Sequence, residues 1–471
     1  SDTLEKKVNK YVALLKKLQN KDGSFSWWKG MSGSRYMTTA VAEMMVRLNA
    51  IVGRQSSTAS MLSGAIDYLR QQTAREVKAM KEDEAKAAQK AARNGKKGEA
   101  YQATPSEVAL HYLYIVAMDG TCVKLKAPAL NDMDYLLGKL KKMTRSLTIY
   151  GKAKAAVILA LNYDYKTAAD YLKSMEEYSV YREDMGRYYD TRKAYYSWRN
   201  YKIPTEVAAI EALQALDAQS IAAISSASFA ISKQQTIEEM QRWLLMSKRT
   251  QVWDTPVNTV DAVYAFMKGN ESNWNRKAEN AVLKLDGKLL PMPQDSTTLG
   301  YVKTEKTGKA SKLSIDKKSD YTSWGAVYAE FKQPISEIGS MESGIKVRRV
   351  IVPAESESKG NAQVGEKVKV TLIITADRDY DFVQITDKRA ACLEPVNQLS
   401  GYQWSIGCYV SPRDHATNFY FDRLSKGKHI VEMEYYVDRK GDYQSGTCIA
   451  ECTYSPEFGG RTETYELKVN N

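Results

Sequence analysis

Cysteine, histidine and paired carboxylates are the side chains of this chain that could carry chemistry, and their spacing narrows what that chemistry could be. Four of the five cysteines, Cys392, Cys408, Cys448 and Cys452, fall in the last 80 residues. A four-cysteine metal site usually brings two close pairs, each split by two to four residues, and only Cys448 and Cys452 approach that pattern. Disulfides fit better. On a strand, Cys448 and Cys452 face the same way, so each could reach a different neighbouring strand. Cys392 with Cys452 and Cys408 with Cys448 is the expected choice among the possible connectivities. Such bridges imply an oxidising compartment. Cys122 stands apart and reads as a buried free thiol.

The three histidines, His111, His415 and His429, have no zinc-site, serine-dyad or cysteine-dyad spacing around them. His429 reads as an ordinary strand residue. Asp132 and Asp134 pair two carboxylates; helical toroids that cyclise isoprenoids or cut glycans use such acids. The simpler reading is a helix-start cluster, where acidic groups stabilise exposed amides. The expectation is a protein without catalytic residues, cofactor or metal, a toroid enzyme being the alternative. The net charge of +12 comes from 68 basic against 56 acidic residues. That excess is modest, no nucleic-acid module accompanies it, and no run approaches the apolar length of a membrane span.

The elements that must position these residues change character along the chain. Tyr36-Met37-Thr38-Thr39, Thr104-Pro105-Ser106-Glu107, Leu147-Thr148-Ile149, Ile203-Pro204-Thr205-Glu206 and Thr255-Pro256-Val257 each put a hydroxyl residue, often with proline, before a small apolar run. Threonine can cap the first turn, proline is tolerated at its first position, and Thr104 with Glu107 would form a capping box. Onsets near 39, 104, 148, 205 and 257 are 65, 44, 57 and 52 residues apart, about two helices each. This is a repeated helical hairpin. Lys78 to Gly98, almost pure Lys, Glu and Ala, extends one helix into solvent.

From Ala281 the chain reads as short strands: Ala281 to Leu285 turning at Asp286-Gly287, Ser323 to Phe331, Ile345 to Val352, Lys367 to Thr375, Asp381 to Thr386, Asn418 to Phe421, Lys428 to Val437 and Thr447 to Tyr454. Val368 to Leu372 and Val431 to Tyr435 alternate apolar and polar as half-buried strands do. Pro291 to Ser314 and Ala354 to Ala362 are polar connections.

The segment Gln19-Asn20-Lys21-Asp22-Gly23-Ser24-Phe25-Ser26-Trp27-Trp28 combines a turn dipeptide with a glutamine able to bond across a helix corner and aromatics expected to pin it as core. Trp198 to Tyr201 and Trp243 to Thr255 read as related corners. Leu18 to Met31 followed by Tyr36-Met37-Thr38, then Trp243-Leu244-Leu245 through Trp253-Asp254-Thr255, resembles the thioester-type helical domain of bacterial alpha-2-macroglobulins. Gln363 to Val368, Val383 to Asp387 with Leu393-Glu394-Pro395, Asn418 to Asp422, Gly441-Asp442-Tyr443 and Cys452 to Phe458 resemble that family's C-terminal macroglobulin domain.

The resemblance implies an α then β chain: an α/α toroid over 1–272 lacking its N-terminal hairpin, a partial CUB-like β segment over 279–340, and an antiparallel β-sandwich over 343–471. It also implies an inhibitor. A macroglobulin presents a bait, is cut, and rearranges to entrap the protease; many members then acylate the prey through a Cys-x-Glu-Gln thioester. Cys392-Leu393-Glu394-Pro395 cannot serve, because proline stands where the glutamine must be. The thioester of a parent protein would lie upstream of Ser1, and five hairpin starts stand where the toroid has six. The implied partners are proteases as prey and upstream macroglobulin domains of the same parent, in an extracytoplasmic, periplasmic setting. Tyr402 and Tyr409 are the candidates for an aromatic that shields a thioester from water. A non-trapping binding or adhesion module is the remaining alternative.

Overall fold

A computed structural model describes residues 2–95, 100–143, 147–190, 202–216, 233–250, 256–268, 281–290, 308–318, 332–334, 337–353, 361–453 and 455–471, with 305, 327, 329 and 330. Two compact units emerge: one of residues 1–180, 188–241 and 259–326, the other of 181–187, 242–258 and 327–471. Helices come first and antiparallel sheets follow.

The described α-helices are α1 (Asp2–Leu18), α2 (Arg35–Val52), α3 (Ser56–Arg93), α4 (Glu107–Asp119), α5 (Ala129–Leu140), α6 (Ile149–Leu161), α7 (Tyr165–Lys173), α8 (Lys202–Ala215), α9 (Lys233–Thr250) and α10 (Pro256–Met267). Within the first unit α2 packs on α4, α4 on α6 and α6 on α8, so alternate helices are neighbours. Thr148 caps α6 through the Gly151 amide at 3.1 Å, as its position predicts. Two other expected caps are displaced. Ser34 rather than Thr38 caps α2, and Ser106 rather than Thr104 caps α4 through the Ala109 amide. In each case the serine stands immediately before the first helical turn, so its hydroxyl reaches the N3 amide, whereas Thr38 lies inside α2 and Thr104 lies two residues before the cap of α4.

Thr38 is spent on the corner instead. Its hydroxyl accepts from the Phe25 amide at 2.8 Å and donates to the Ser34 carbonyl at 2.7 Å. Gln19 Nε2 donates to Gly23 O at 3.0 Å and to Met61 O at 2.8 Å, tying the corner to α3. Phe25 is buried, but Trp27 and Trp28 are exposed, which corrects their expected place in the core. Trp27 stacks on Tyr36 with ring centroids 5.7 Å apart. The corner stands on Gly23, whose φ is +86° and whose added Cβ would lie 2.0 Å from the Gly64 carbonyl oxygen. Left-handed backbone costs an L-residue roughly 1–2 kcal/mol before any clash. Gly23→Ala is therefore expected to destabilise the helical unit by at least ~2 kcal/mol; an unchanged urea midpoint would refute this close packing.

Strands β1 (Ser179–Arg182) and β2 (Gly186–Tyr189) pair as a two-stranded sheet, and a small sheet of β4 (Lys288–Leu289), β3 (Val282–Leu285) and β5 (Leu313–Asp316), in that order, follows the helices in the chain. Asp286 and Gly287, at φ +49° and +79°, turn β3 into β4 as the dipeptide predicts. Leu283 opposes Ile315 and Leu285 opposes Leu313, so one face is apolar, yet no residue of the sheet is buried. The strand expected at Ser323 to Phe331 and the loop at Pro291 to Ser314 lie largely outside the described residues.

In the second unit a seven-stranded sheet runs β12 (Gly401–Gln403), β13 (Cys408–Pro412), β14 (Ala416–Leu424), β10 (Tyr380–Lys388), β17 (Cys448–Cys452), β18 (Ser455–Arg461) and β6 (Met341–Ser343). A four-stranded sheet runs β11 (Leu393–Pro395), β15 (Gly427–Val437), β9 (Lys367–Ala376) and β7 (Ile345–Pro353). The small sheet of β16 (Gly441–Gln444), β19 (Glu466–Asn470) and β8 (Asn361–Gln363) completes it. Val368, Val370 and Leu372 of one large sheet share a core with Val383, Ile385 and Phe419 of the other. Period-two patterning put those side chains on the inward faces.

Candidate functional site

The helical unit buries a charged cluster that no local motif announced. Arg47 on α2 is its hub. Its Nε donates to Tyr114 Oη on α4 at 3.0 Å, one terminal nitrogen to Glu211 on α8 at 3.0 Å, and the other to Asp261 on α10. Glu43, one turn before Arg47, lies 3.2 Å from it and accepts from Lys154 Nζ of α6 at 2.8 Å. Glu43 also meets His111 Nδ1 of α4, and His111 Nε2 lies 2.9 Å from Tyr150 Oη of α6. Lys154 Nζ sits 3.6 Å above the Tyr114 ring.

Burial sets the electrostatics. It works to raise the carboxyl of Glu43, but His111, Lys154 and Arg47 outweigh it and hold that group well below the usual carboxylate range. Burial dominates at Asp261, whose carboxyl is raised despite Arg47. Every cation has an oxygen partner and every carboxylate a donor, so the arrangement is built to bind helices together. The signal was in the sequence: Lys154 stands next to the apolar run from Ala155 to Leu161, and Glu43 and Arg47 flank Met44, Met45 and Val46. Period alone could not say that five such positions converge.

The predicted chemical residues do not converge. Asp134 is exposed and Asp132 only half-buried on α5, and positions two apart on a helix diverge by about 200°. Asp132 does lie in the first turn, as the helix-start reading required. His415 is exposed, and His429 bonds the Ser425 carbonyl at 2.7 Å from strand β15. The corner at Trp198 to Tyr201 and the Trp253 to Thr255 end of the other lie outside the described residues, while Trp243 is buried. Among described residues no cluster could hold a metal ion, and no helix is long and apolar enough to cross a membrane.

The cysteines need a correction. All five are free, and Cys392, Cys408, Cys448 and Cys452 are buried. Strands β14 and β10 separate Cys408 on β13 from Cys448 on β17. Three strand spacings of about 4.8 Å put them roughly 14 Å apart, twice the span of a disulfide. Cys392 lies past the Lys388 end of β10, its carbonyl accepting from the Asp438 amide, whereas Cys452 opposes Val383. Same-face spacing was right, but the sheet order assigned them no partners. The compartment argument built on those bridges falls with them. Cys122, half-buried rather than buried, keeps its free thiol. Mass spectrometry after alkylation without reductant should find five labelled cysteines in denaturant; three would restore one disulfide.

Tyr402 and Tyr409 do belong to one surface. Tyr402 opposes Tyr409, Tyr409 opposes Tyr420, and Tyr420 opposes Gln384, so the row crosses β12, β13, β14 and β10 on one face. All three tyrosines are partly exposed, and Trp404, 87% exposed, meets the Tyr402 ring edge-on at 4.6 Å. Tyr420 joins the row through strand register, which spacing alone does not reveal, and Trp404 joins it from the turn after β12.

Residues 344–457 match the family described as the bacterial alpha-2-macroglobulin MG10 domain. The chain is similar, at 12% identity and a TM-score of 0.36 over 98% of its length, to trypsin-activated alpha-2-macroglobulin from Escherichia coli, of which it spans 29%. It is similar at 14% identity and a TM-score of 0.34 to Escherichia coli alpha-2-macroglobulin activated by porcine elastase, over 98% of this chain and 38% of that one. A curated relative, circularly permutated Ras protein 2 of Dictyostelium discoideum, is 25% identical over 111 residues, 23% of this chain and 3% of that protein. Residues 344–457 are thus identified as a bacterial alpha-2-macroglobulin MG10 domain, within a chain that spans 29% and 38% of those two Escherichia coli proteins.

Proposed function

We propose that this chain is the C-terminal part of a bacterial macroglobulin-like inhibitor that entraps endopeptidases after bait cleavage, working outside the cytoplasm and without catalysis of its own. The observation that carries the reading is the MG10 match at residues 344–457. The helical unit then corresponds to an α/α toroid. Supporting this, α2, α4, α6 and α8 pack in succession, and Arg47 of α2 reaches both α8 and α10, drawing the first and last of these helices together.

Met44, Leu48 and Val52 on α2, and Val257, Val260 and Val263 on α10, are exposed at helical spacing. A further hairpin, supplied upstream, accounts for these stripes, because the end of a repeat array otherwise carries a polar face. The uncovered apolar face of β3 and β5 fits a CUB-like segment whose remaining strands precede the toroid. In this reading the Tyr402, Tyr409 and Tyr420 row supplies the aromatic cover of a thioester carried upstream. A toroid enzyme loses its candidate acids, since Asp132 and Asp134 do not converge.

The test uses the full-length parent protein incubated with a broad-specificity protease, assayed on a small peptide and on a large protein substrate. Loss of activity on the large substrate alone supports entrapment, because the trapped active site stays open to small molecules. Equal activity on both sinks the trap.

A further inference from the structure

Among the described residues, the buried cluster of the helical unit has an uneven charge count. Glu43, Glu211 and Asp261 supply three carboxylates, and Arg47 and Lys154 supply two permanent cations. None of these five side chains is more than 12% exposed. Burying an unbalanced charge is expensive, and a buried site answers by holding a proton instead. Two groups can hold it. His111 faces Glu43 through Nδ1 and Tyr150 Oη through Nε2, with Glu107 at 3.9 Å at the rim. Asp261 is the carboxyl that burial raises. Tyr150 can accept from a charged imidazole or donate to a neutral one, so the contact survives either state.

We propose that the cluster is a proton-linked clasp: one ionisable proton, held on His111 or Asp261, balances its three carboxylates, and releasing that proton loosens the helices that Arg47 joins. Among the described residues, the groups facing the proton are Glu43 and Arg47 on α2, Glu107 and Tyr114 on α4, Tyr150 and Lys154 on α6, Glu211 on α8, and Asp261 and Tyr264 on α10. A folded state that keeps a proton the unfolded chain has released is stabilised on the acid side and loses that stability as pH rises. Glu43 acts oppositely: held low, it costs stability only when pH falls through the carboxylate range. The clasp is therefore tightest between those limits.

Hydrogen exchange of the full chain, read by mass spectrometry on peptides from α2 and α10 and corrected for intrinsic exchange, tests this between pH 5.5 and 8.5. Protection in the wild type should fall as pH rises, by up to tenfold per pH unit where the proton leaves. Asp261→Asn keeps an acceptor for Arg47 but removes one carboxylate, so its protection should stay flat. A flat wild type, or an undiminished slope in Asp261→Asn, overturns the clasp. Should that variant fail to fold, histidine-ring nitrogen NMR of the wild type decides. The chain has only three histidines. A pH-dependent change at the His111 ring, or at the side-chain carboxyl carbon of Asp261 followed in the same way, that tracks the loss of protection supports the clasp, and signals constant at both groups across the range overturn it.

Discussion

Replacing Arg47 with alanine should destabilise the helical unit by about 3–5 kcal/mol, the cost of breaking a buried ion pair by removing one partner. The guanidinium is 5% exposed and contacts four groups on four helices: Glu43, Tyr114, Glu211 and Asp261. Without it, three buried carboxylates share only Lys154 and His111. Arg47→Lys should not rescue, because one ammonium cannot reproduce a planar fork aimed in several directions. Arg54 is the control. Its bond to Asp119 leaves it 65% exposed, so Arg54→Ala should cost ~0–1 kcal/mol. The chain has two units and need not unfold in one step. Hydrogen exchange resolved to α2, α8 and α10 is the measurement, and a loss for Arg47→Ala no larger than for Arg54→Ala would refute the hub.

The second large effect is alkaline instability of the β-rich unit. Burial pushes the thiols of Cys392 and Cys408 up to about 11 and that of Cys452 to about 12. Burial, with Asp387 beside it, raises Cys448 well above the ordinary 9.0. Burial also raises the phenols of Tyr435 and Tyr465 in the same unit. Each group is an acid whose folded form holds its proton longer than the unfolded chain does. Stability is therefore complete below the ordinary thiol value and is lost as pH rises through 9 toward 11 and 12. One such group contributes a slope of about 1.4 kcal/mol per pH unit. Four thiols together reach at most about 5.5 kcal/mol per pH unit, enough to exhaust a typical domain within a few pH units. Denaturation of the wild type at pH 8, 9.5 and 10.5 should show the fall, and Cys408→Ala should shallow it by about one proton. A flat profile would mean that these thiols do not ionise on unfolding, as bridged cysteines would not.

Much of the fold follows from the sequence alone, for reasons that are local. Thr148 caps a helix because its hydroxyl can reach an amide three residues on. Asp286-Gly287 turns a hairpin because both residues tolerate positive φ. Val368 to Leu372 alternate because a pleated strand has two faces, one of them buried. Motif order pointed to a macroglobulin family, and residues 344–457 match its MG10 domain.

Relations between distant segments had to wait for the tertiary structure. Cys448 and Cys452 share a strand face, as their spacing requires, but strand order puts two strands between Cys448 and its expected partner Cys408. Tyr402, Tyr409 and Tyr420 become one row only through register, which a shift of a single residue would reverse. Glu43, Arg47, His111, Lys154, Glu211 and Asp261 span more than 200 positions and meet because five helices turn one face each to a common interior. Sequence periodicity tells which face of a helix is buried. Only packing tells what that face meets, and a buried charge takes its meaning from its partner.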